Sequence, residues 1–295
     1  MRLDFGRGGV IICRKMNRFE LELRQRLEDW RDEAYGDFIF RGVPGMKREQ
    51  ILGVRVPEIR AALWETLMLV FDSEMLRKGL TLSGEGVLDE GLYHEMNIFL
   101  NNLPHFYREY DHANVAIINR MNNFEECIEL LNKFLPHVNN WEICDAINPK
   151  VFRKHPKEVW QLCEGWLGSL KPFQQRFGIV TAMRYFLDDE RFFEEQFDWI
   201  EMVAHQADTV IDIRDNWKKM GWDWETWWTD DEAYYVRMAI AWYLATALAK
   251  QWEAALSVLT EERLPTLVHN RAIQKALESR RISQEQKELL RELKR

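Results

Sequence analysis

The chain is poor in the residues that mark turns and disorder. Its 295 residues include 15 glycines and 8 prolines, whereas 46% are hydrophobic. Folds rich in β-turns and disordered chains use glycine and proline more heavily, so the composition disfavours both classes. The hydrophobic content is sufficient for one large domain, or two small ones, with a buried core.

Long apolar runs and paired cysteines are missing as well. No apolar run approaches the roughly 20 residues that a membrane span needs, and "GGVIIC" near the start is too short for the core of a signal peptide. Cys13, Cys127, Cys144 and Cys163 lie apart, without a CxxC pair. We therefore expect reduced thiols in the cytoplasm, and neither a disulfide framework nor a zinc site.

Sequence motifs for nucleotide and metal binding are absent too. The chain has no GxGxxG, no Walker loop and no HExxH, and its seven histidines show no metal-ligand spacing. No motif supports Ser-His-Asp catalysis. The adjacent His94 and Glu95 are interpreted as a structural polar contact between helices. We expect neither a cofactor nor a metal.

Acidic residues outnumber basic ones overall, but some segments concentrate basic residues. The formal net charge of −8 argues weakly against nucleic acid as a partner, yet the local distribution of charge is more informative than the sum. Residues 150–157 carry Lys150, Arg153, Lys154 and Lys157 without an acidic residue, and residues 271–295 carry eight Lys or Arg against four Glu. These segments indicate either a basic stripe on an acidic body or ordinary solvated helix faces.

Apolar residues at helical spacing recur almost throughout the chain. The pattern predicts about a dozen helices and no strands. Pro57 suits the first turn of one helix, and Ser283 with Gln286 forms a capping-box start for the last. The helices pair at a period of about forty residues, which is typical of HEAT-like solenoids with a concave binding face. A globular helical bundle is the alternative.

The sequence also suggests how the domain is bounded. Residues 1–15 differ in pattern from the rest of the chain, so we expect a disordered or non-native extension there and a single HEAT-like domain over 16–295. Residues at about 212–230 interrupt the regular pattern as a Trp-rich insertion that contains five tryptophans, namely Trp217, Trp222, Trp224, Trp227 and Trp228. Either these indoles pack as a lid against neighbouring helices, or they form an aromatic surface for bases, sugars or a partner.

One short stretch combines residues that suit chemistry. Asn139 or Asn140 can cap a helix that begins at Trp141, and Trp141 and Asp145 then share a face at i, i+4 spacing. The structural interpretation is an indole packed in the core and a carboxylate that stabilises the positive end of the helix. The functional interpretation is a paired aromatic and anionic site.

Here the sequence resembles the AlkD-type DNA alkylation repair glycosylases. Their signature is a helix of the form Asn/Asp-Trp-Asp/Glu-hydrophobic-x-Asp that carries the essential Asp, and "VNNWEICDAINPKV" is similar to it. Other segments resemble the family in the same order, namely "ILGVRVPEIR" (51–60), "FQQRFGIV" (173–180), "YYVRMAIAWYLATALAK" (234–250) and the basic C-terminal tail. The Trp-rich insertion is not a general feature of the family. Ala245 also departs from it, because many relatives have Arg at that position.

The resemblance implies a function and a set of site residues. It implies hydrolysis of the N-glycosidic bond of N3- or N7-alkylated purines, with Asp145 as the carboxylate that stabilises the sugar cation and Trp141 and Trp242 beside it. Arg176 falls on a DNA-contacting Arg, and Lys150, Arg153 and Lys154 would add attraction to phosphates. The expected partner of this monomer is double-stranded DNA with alkylated bases, gripped without a deep base-flipping pocket. The alternative is a non-catalytic HEAT-like scaffold that binds DNA structures or a protein partner.

Overall fold

A computed structural model of the protein describes residues 16–43, 45–220 and 228–295. Over these ranges it contains fifteen α-helices and no β-strand, and only isolated bridge residues such as the pair Phe71 and Val87 adopt β-type pairing. The all-α prediction is therefore confirmed. The helices are α1 (Arg18–Glu28), α2 (Glu33–Gly42), α3 (Val56–Val70), α4 (Ser73–Lys78), α5 (Glu90–Asn101), α6 (Arg108–Ile118), α7 (Phe124–Phe134), α8 (Trp141–Ala146), α9 (Pro156–Leu167), α10 (Pro172–Tyr185), α11 (Gln196–Lys219), α12 (Asp230–Lys250), α13 (Trp252–Thr260), α14 (Thr266–Glu278) and α15 (Gln284–Glu292).

Two helices begin where proline and capping residues in the sequence predict them. Pro57 lies in the first turn of α3, where a missing N–H costs no helical hydrogen bond. Ser283 and Gln286 form the predicted reciprocal capping box at α15. Glu95 accepts hydrogen bonds from the backbone N–H groups of Arg18 and Phe19 at the start of α1. The structural interpretation of Glu95 is thus confirmed.

The chain divides into two compact units. Among the described residues, the N-terminal unit contains those up to Gly42 together with Lys47–Ile117, and the C-terminal unit contains those within 43–46 and within 118–295. The HEAT-like arrangement and the single domain over 16–295 stay predictions. The expected extension over 1–15 lies outside the described residues.

A buried ionic cluster fixes the start of α3 in the N-terminal unit. The Glu109 carboxylate is fully buried and accepts the N–H groups of Leu52, Gly53 and Val54 at 3.0, 3.1 and 3.2 Å. Arg108, buried beside it, donates to Glu109 Oε1 at 3.2 Å. A buried carboxylate is tolerated here because backbone donors and a guanidinium satisfy it.

The C-terminal unit is built around α10. This helix is buried on nearly every side, including its polar residues Gln175, Arg176 and Thr181, and packs against α8, α9, α11 and α12. Cys163 on α9 donates its S–H to the carbonyl of Gly178 on α10 at 3.1 Å. A methyl group at Gly178 would lie 2.9 Å from the backbone nitrogen of Leu167. Glycine at this position therefore lets α9 and α10 approach closely.

The described cysteines all lie in the core. Cys127, Cys144 and Cys163 are buried free thiols. Burial raises the pKa of Cys127 to about 12 and raises the pKa of Cys144 and Cys163 as well. Cys13 lies outside the described residues. No helix in the described ranges combines the length and the apolar sequence needed to cross a bilayer.

Candidate functional site

The candidate site begins with a very short helix in the C-terminal unit. Asn140, one of the two predicted caps, accepts the N–H of Ile143 at 3.0 Å, and α8 starts at Trp141 as expected. The helix has only six residues, so Trp141 opens it and Asp145 lies in its last turn. Both side chains are half-buried. Between them, Ile143 and Cys144 turn into the core and anchor the helix.

The carboxylate of Asp145 is bound by Arg176. Arg176 Nε donates to Asp145 Oδ1 at 2.8 Å, and Arg176 Nη2 donates to Asp145 Oδ2 at 2.7 Å. This is the bidentate geometry in which guanidinium and carboxylate groups interact most strongly. The Arg176 side chain is 7% exposed, whereas that of Asp145 is 19% exposed. The ion pair is therefore open to solvent on the side of the carboxylate.

Arg176 also connects Asp145 to α12. Its Nη1 donates to the backbone carbonyl of Tyr235, so each of its three nitrogens has an acceptor. Burial alone would lower the pKa of Arg176, but the hydrogen bonds and charge of Asp145 outweigh it and raise that pKa. The guanidinium is consequently always charged.

Trp242 lies on α12, the helix whose Tyr235 carbonyl accepts a hydrogen bond from Arg176. It comes seven residues after Tyr235, or about two helical turns, which places both on one side of α12. Trp242 is 37% exposed. One turn further on, the Thr246 hydroxyl donates to the carbonyl of Trp242 at 2.9 Å and contacts Met183 Sδ of α10 at 3.5 Å. The structure thus joins Asp145 and Arg176 directly, and places Trp242 on a helix packed against α10.

Side chains from other elements also bind the backbone of α8. Arg184 on α10 donates to the carbonyl of Asp145 at 2.7 Å and to that of Ile147 at 2.9 Å. Asn119 donates to the intervening carbonyl of Ala146 at 2.8 Å. Sequence reasoning missed both residues. Arg184 lies eight residues after Arg176, so helical periodicity could have placed it on the same face, whereas nothing in the sequence marks Asn119.

The predicted basic residues form an exposed segment directly after α8. Lys150, Arg153 and Lys154 lie on a short 3-10 helix and are all exposed, while Val151 and Phe152 between them are buried and anchor it. Across the described ranges, none of the three cations forms an ion pair with a carboxylate. Their charges are therefore available to an anionic partner.

The Trp-rich insertion is described only in part. Its first residues continue α11, which ends at Lys219. Trp228 is buried and donates from Nε1 to the carbonyl of Leu170 at 2.7 Å, which agrees with the packed-lid interpretation for that residue. Trp222, Trp224 and Trp227, and the side chain of Trp217, lie outside the described residues.

The described residues therefore define an all-α protein with a partly open carboxylate–guanidinium pair and an exposed basic segment beside it. A model of the DNA alkylation repair enzyme family matches residues 100–222, a segment that contains Trp141, Asp145, Arg176 and the basic segment. The match confirms the resemblance seen in the sequence over this segment and supports a role in the repair of alkylated DNA. The resembling segments 51–60 and 234–250 and the C-terminal tail lie outside the matched residues. No curated protein matches the chain. Within the described ranges, no three His, Cys, Asp or Glu side chains are grouped as metal ligands.

Proposed function

We propose that this protein is a DNA glycosylase that excises cationic N3- or N7-alkylated purines by hydrolysing the N-glycosidic bond. One observation carries the proposal: in a segment matched by the DNA alkylation repair enzyme family, Asp145 shares a short helix with Trp141 and keeps part of its carboxylate open to solvent. A carboxylate sealed inside the protein would be incompatible with the reaction.

The proposed hydrolysis depends on a negatively charged group in the site and does not require a general acid. An N-alkylated purine is already cationic and leaves as a neutral base, so no general acid is required. Positive charge then develops on the deoxyribose, and a fixed carboxylate at Asp145 stabilises that charge and orients the attacking water. Trp141 and Trp242 would flank the sugar, because the face of an indole favours a cation.

Arg176 has to change partner for this reaction to proceed. With both oxygens of Asp145 bound to one guanidinium, the negative charge of the carboxylate is largely neutralised. A DNA phosphate is an equally suitable bidentate partner for the guanidinium. We infer that Arg176 moves from Asp145 to a phosphate next to the lesion, which leaves the carboxylate free to face the sugar.

The exposed basic segment supplies attraction that is independent of sequence. Lys150, Arg153 and Lys154 would contact phosphates of the duplex and hold it beside α8. The proposed binding surface is the concave face of a HEAT-like solenoid acting as a monomer, and the lesion is processed without a deep pocket for a flipped base.

A non-catalytic role is the second candidate, and the same ion pair favours it. A carboxylate bound by a buried arginine is also a common structural element, and the net charge of −8 disfavours tight DNA binding. In that case the protein would be a helical scaffold for DNA structures or for a protein partner.

Release of 7-methylguanine from methylated duplex DNA separates the two candidates. We expect wild type to release it and Asp145→Asn to lose about 100-fold or more of the rate, as when a group that stabilises transition-state charge is removed, while still binding DNA. Glu158→Gln, an exposed carboxylate on α9, serves as the matched control and should keep the wild-type rate. Circular dichroism verifies that each variant is folded.

The other outcomes are equally informative. Equal release by wild type and Asp145→Asn would remove Asp145 from the mechanism, and no release by either would favour the scaffold. A duplex that contains uracil, a neutral base, should give no release, because it lacks both the activated leaving group and the attraction of a cation to the site.

A further inference from the structure

The end of α8 is bound by an unusual number of side chains. Three successive backbone carbonyls, those of Asp145, Ala146 and Ile147, each accept a hydrogen bond from a side chain outside the helix. Arg184 takes the first and third, and Asn119 takes the second. Asn119 also accepts the backbone N–H of Asn148 at 2.6 Å through its side-chain oxygen. The segment that carries the candidate catalytic carboxylate is therefore held by its backbone.

These hydrogen bonds matter because α8 is too short to keep its position without contacts from other elements. A helix of six residues is far below the length at which helices are stable alone, and the last carbonyls of any helix lack partners within it. The negative end of the helix dipole also lies at Asp145, where it opposes the negative charge of the side chain. A cation on those carbonyls relieves that opposition and supplies the missing donors.

Arg184 is well placed to supply both effects. It lies two turns after Arg176 on α10, the buried central helix of the C-terminal unit. Burial lowers the pKa of Arg184, and the charge of Asp145 opposes that effect. The two arginines thus bind the same residue in different ways, since Arg176 binds the carboxylate and Arg184 binds the carbonyl.

We propose that Arg184 is a positioning residue that fixes α8, and with it the carboxylate of Asp145, independently of Arg176. The catalytic part of this inference rests on the proposed glycosylase function. When Arg176 transfers to a phosphate, Asp145 loses its side-chain partner. The bonds from Arg184 to the carbonyls of Asp145 and Ile147 then keep the carboxylate in place. Arg176 is the exchangeable partner of Asp145, and Arg184 is the permanent one.

Hydrogen–deuterium exchange and single-turnover kinetics test this division. Arg184→Met removes the donors and keeps most of the apolar stem, whereas Arg184→Lys keeps the charge but cannot bridge two carbonyls as the guanidinium fork does. Arg263→Met is the matched control, because Arg263 binds Glu201 at 2.7 Å on α11 and makes no hydrogen bond to α8. The substrate is methylated duplex DNA at several salt concentrations.

We expect faster exchange in peptides that cover residues 141–150 of Arg184→Met, and unchanged exchange there in Arg263→Met. The single-turnover rate of base release should fall by about 100-fold in Arg184→Met, the loss that a displacement of about 1 Å can cause, with partial recovery in Arg184→Lys. The dissociation constant for DNA and its dependence on salt should stay at the wild-type values, since Arg184 contacts no phosphate in this scheme.

Two results would overturn the inference. One is wild-type exchange over residues 141–150 in Arg184→Met. The other is a reduced salt dependence, which would make Arg184 a phosphate ligand instead. If the wild-type protein releases no alkylated base, the proposed function fails, and the exchange experiment alone decides whether Arg184 fixes α8.

Discussion

The central residue of the site is a carboxylate that is bound by a buried arginine and stays partly open to solvent. Asp145 is bidentately bound to Arg176, yet its side chain is 19% exposed against 7% for the arginine. Such a pair is stable only while both members remain, because removing one leaves a buried charge without compensation. The same property makes the pair sensitive to a competing anion, and DNA supplies phosphates in quantity.

At the residue scale, Arg176→Gln and Lys154→Gln compare the loss of a buried cation with the loss of an exposed one. We expect Arg176→Gln to lower the free energy of unfolding by about 3 kcal/mol, because a largely buried cation that binds Asp145 and the carbonyl of Tyr235 is lost. Lys154 is exposed, so Lys154→Gln should change stability by no more than about 0.5 kcal/mol. Guanidinium denaturation measures both values.

DNA binding by the same two variants tests the phosphate role. Each substitution should reduce the slope of the logarithm of affinity against the logarithm of salt concentration by about 1. A wild-type slope for Arg176→Gln would mean that Arg176 stays on Asp145 when DNA binds, and Arg176 would then be a structural residue only.

At the scale of elements, α10 organises the C-terminal unit. Its Arg176 and Arg184 bind α8, and Gly178 between them allows close contact with α9. The helix is buried on nearly every side and its buried residues include Gln175, Arg176 and Thr181, so its polar residues are not confined to a solvent face and form no regular amphipathic stripe. A change in how α9 packs on α10 would therefore shift both arginines together.

Gly178→Ala tests this packing. The added methyl would lie 2.9 Å from the backbone nitrogen of Leu167, so α9 has to move, and we expect a loss of about 1–3 kcal/mol of stability, as for other overpacked cores. Gly165→Ala on α9 is the control, because nothing lies within 4 Å of an added methyl there. That control should be neutral or stabilise the protein by up to about 1 kcal/mol, since alanine favours helices. Equal melting temperatures for the two variants would contradict the account.

At the scale of the whole molecule, both units bury groups that ionise only at high pH. Burial, more than the neighbouring charges, raises the pKa of Tyr110 in the N-terminal unit to about 12, and burial raises the pKa of Cys127 in the C-terminal unit to about 12. In the unfolded chain a tyrosine and a cysteine ionise near their ordinary pKa values of about 10 and 8.5. The folded state therefore binds these protons more tightly than the unfolded state does.

This difference predicts the sign of the pH dependence. The stability that these groups contribute is complete below the unfolded pKa values and is lost as the pH rises toward about 12. We expect the guanidinium midpoint, measured under reducing conditions, to fall between pH 8 and pH 11, by an amount that corresponds to about 2 kcal/mol or more. The fall should be smaller in Cys127→Ala, and a midpoint that stays constant or rises would contradict the assignment.

The sequence by itself determined the helical class and several helix starts, and it supplied Trp141, Asp145 and Arg176 as candidates for the site. These features depend on local periodicity, on capping residues such as Asn140 and Ser283, and on a motif read along the chain. Only the tertiary structure decided that Arg176 binds Asp145 and that Arg184 and Asn119 bind the backbone of α8. These partners are 27 to 39 residues away from the atoms they contact. Hydrogen bonds over such separations are set by the packing of α10, and of the residue that follows α6, against α8, which no local pattern encodes.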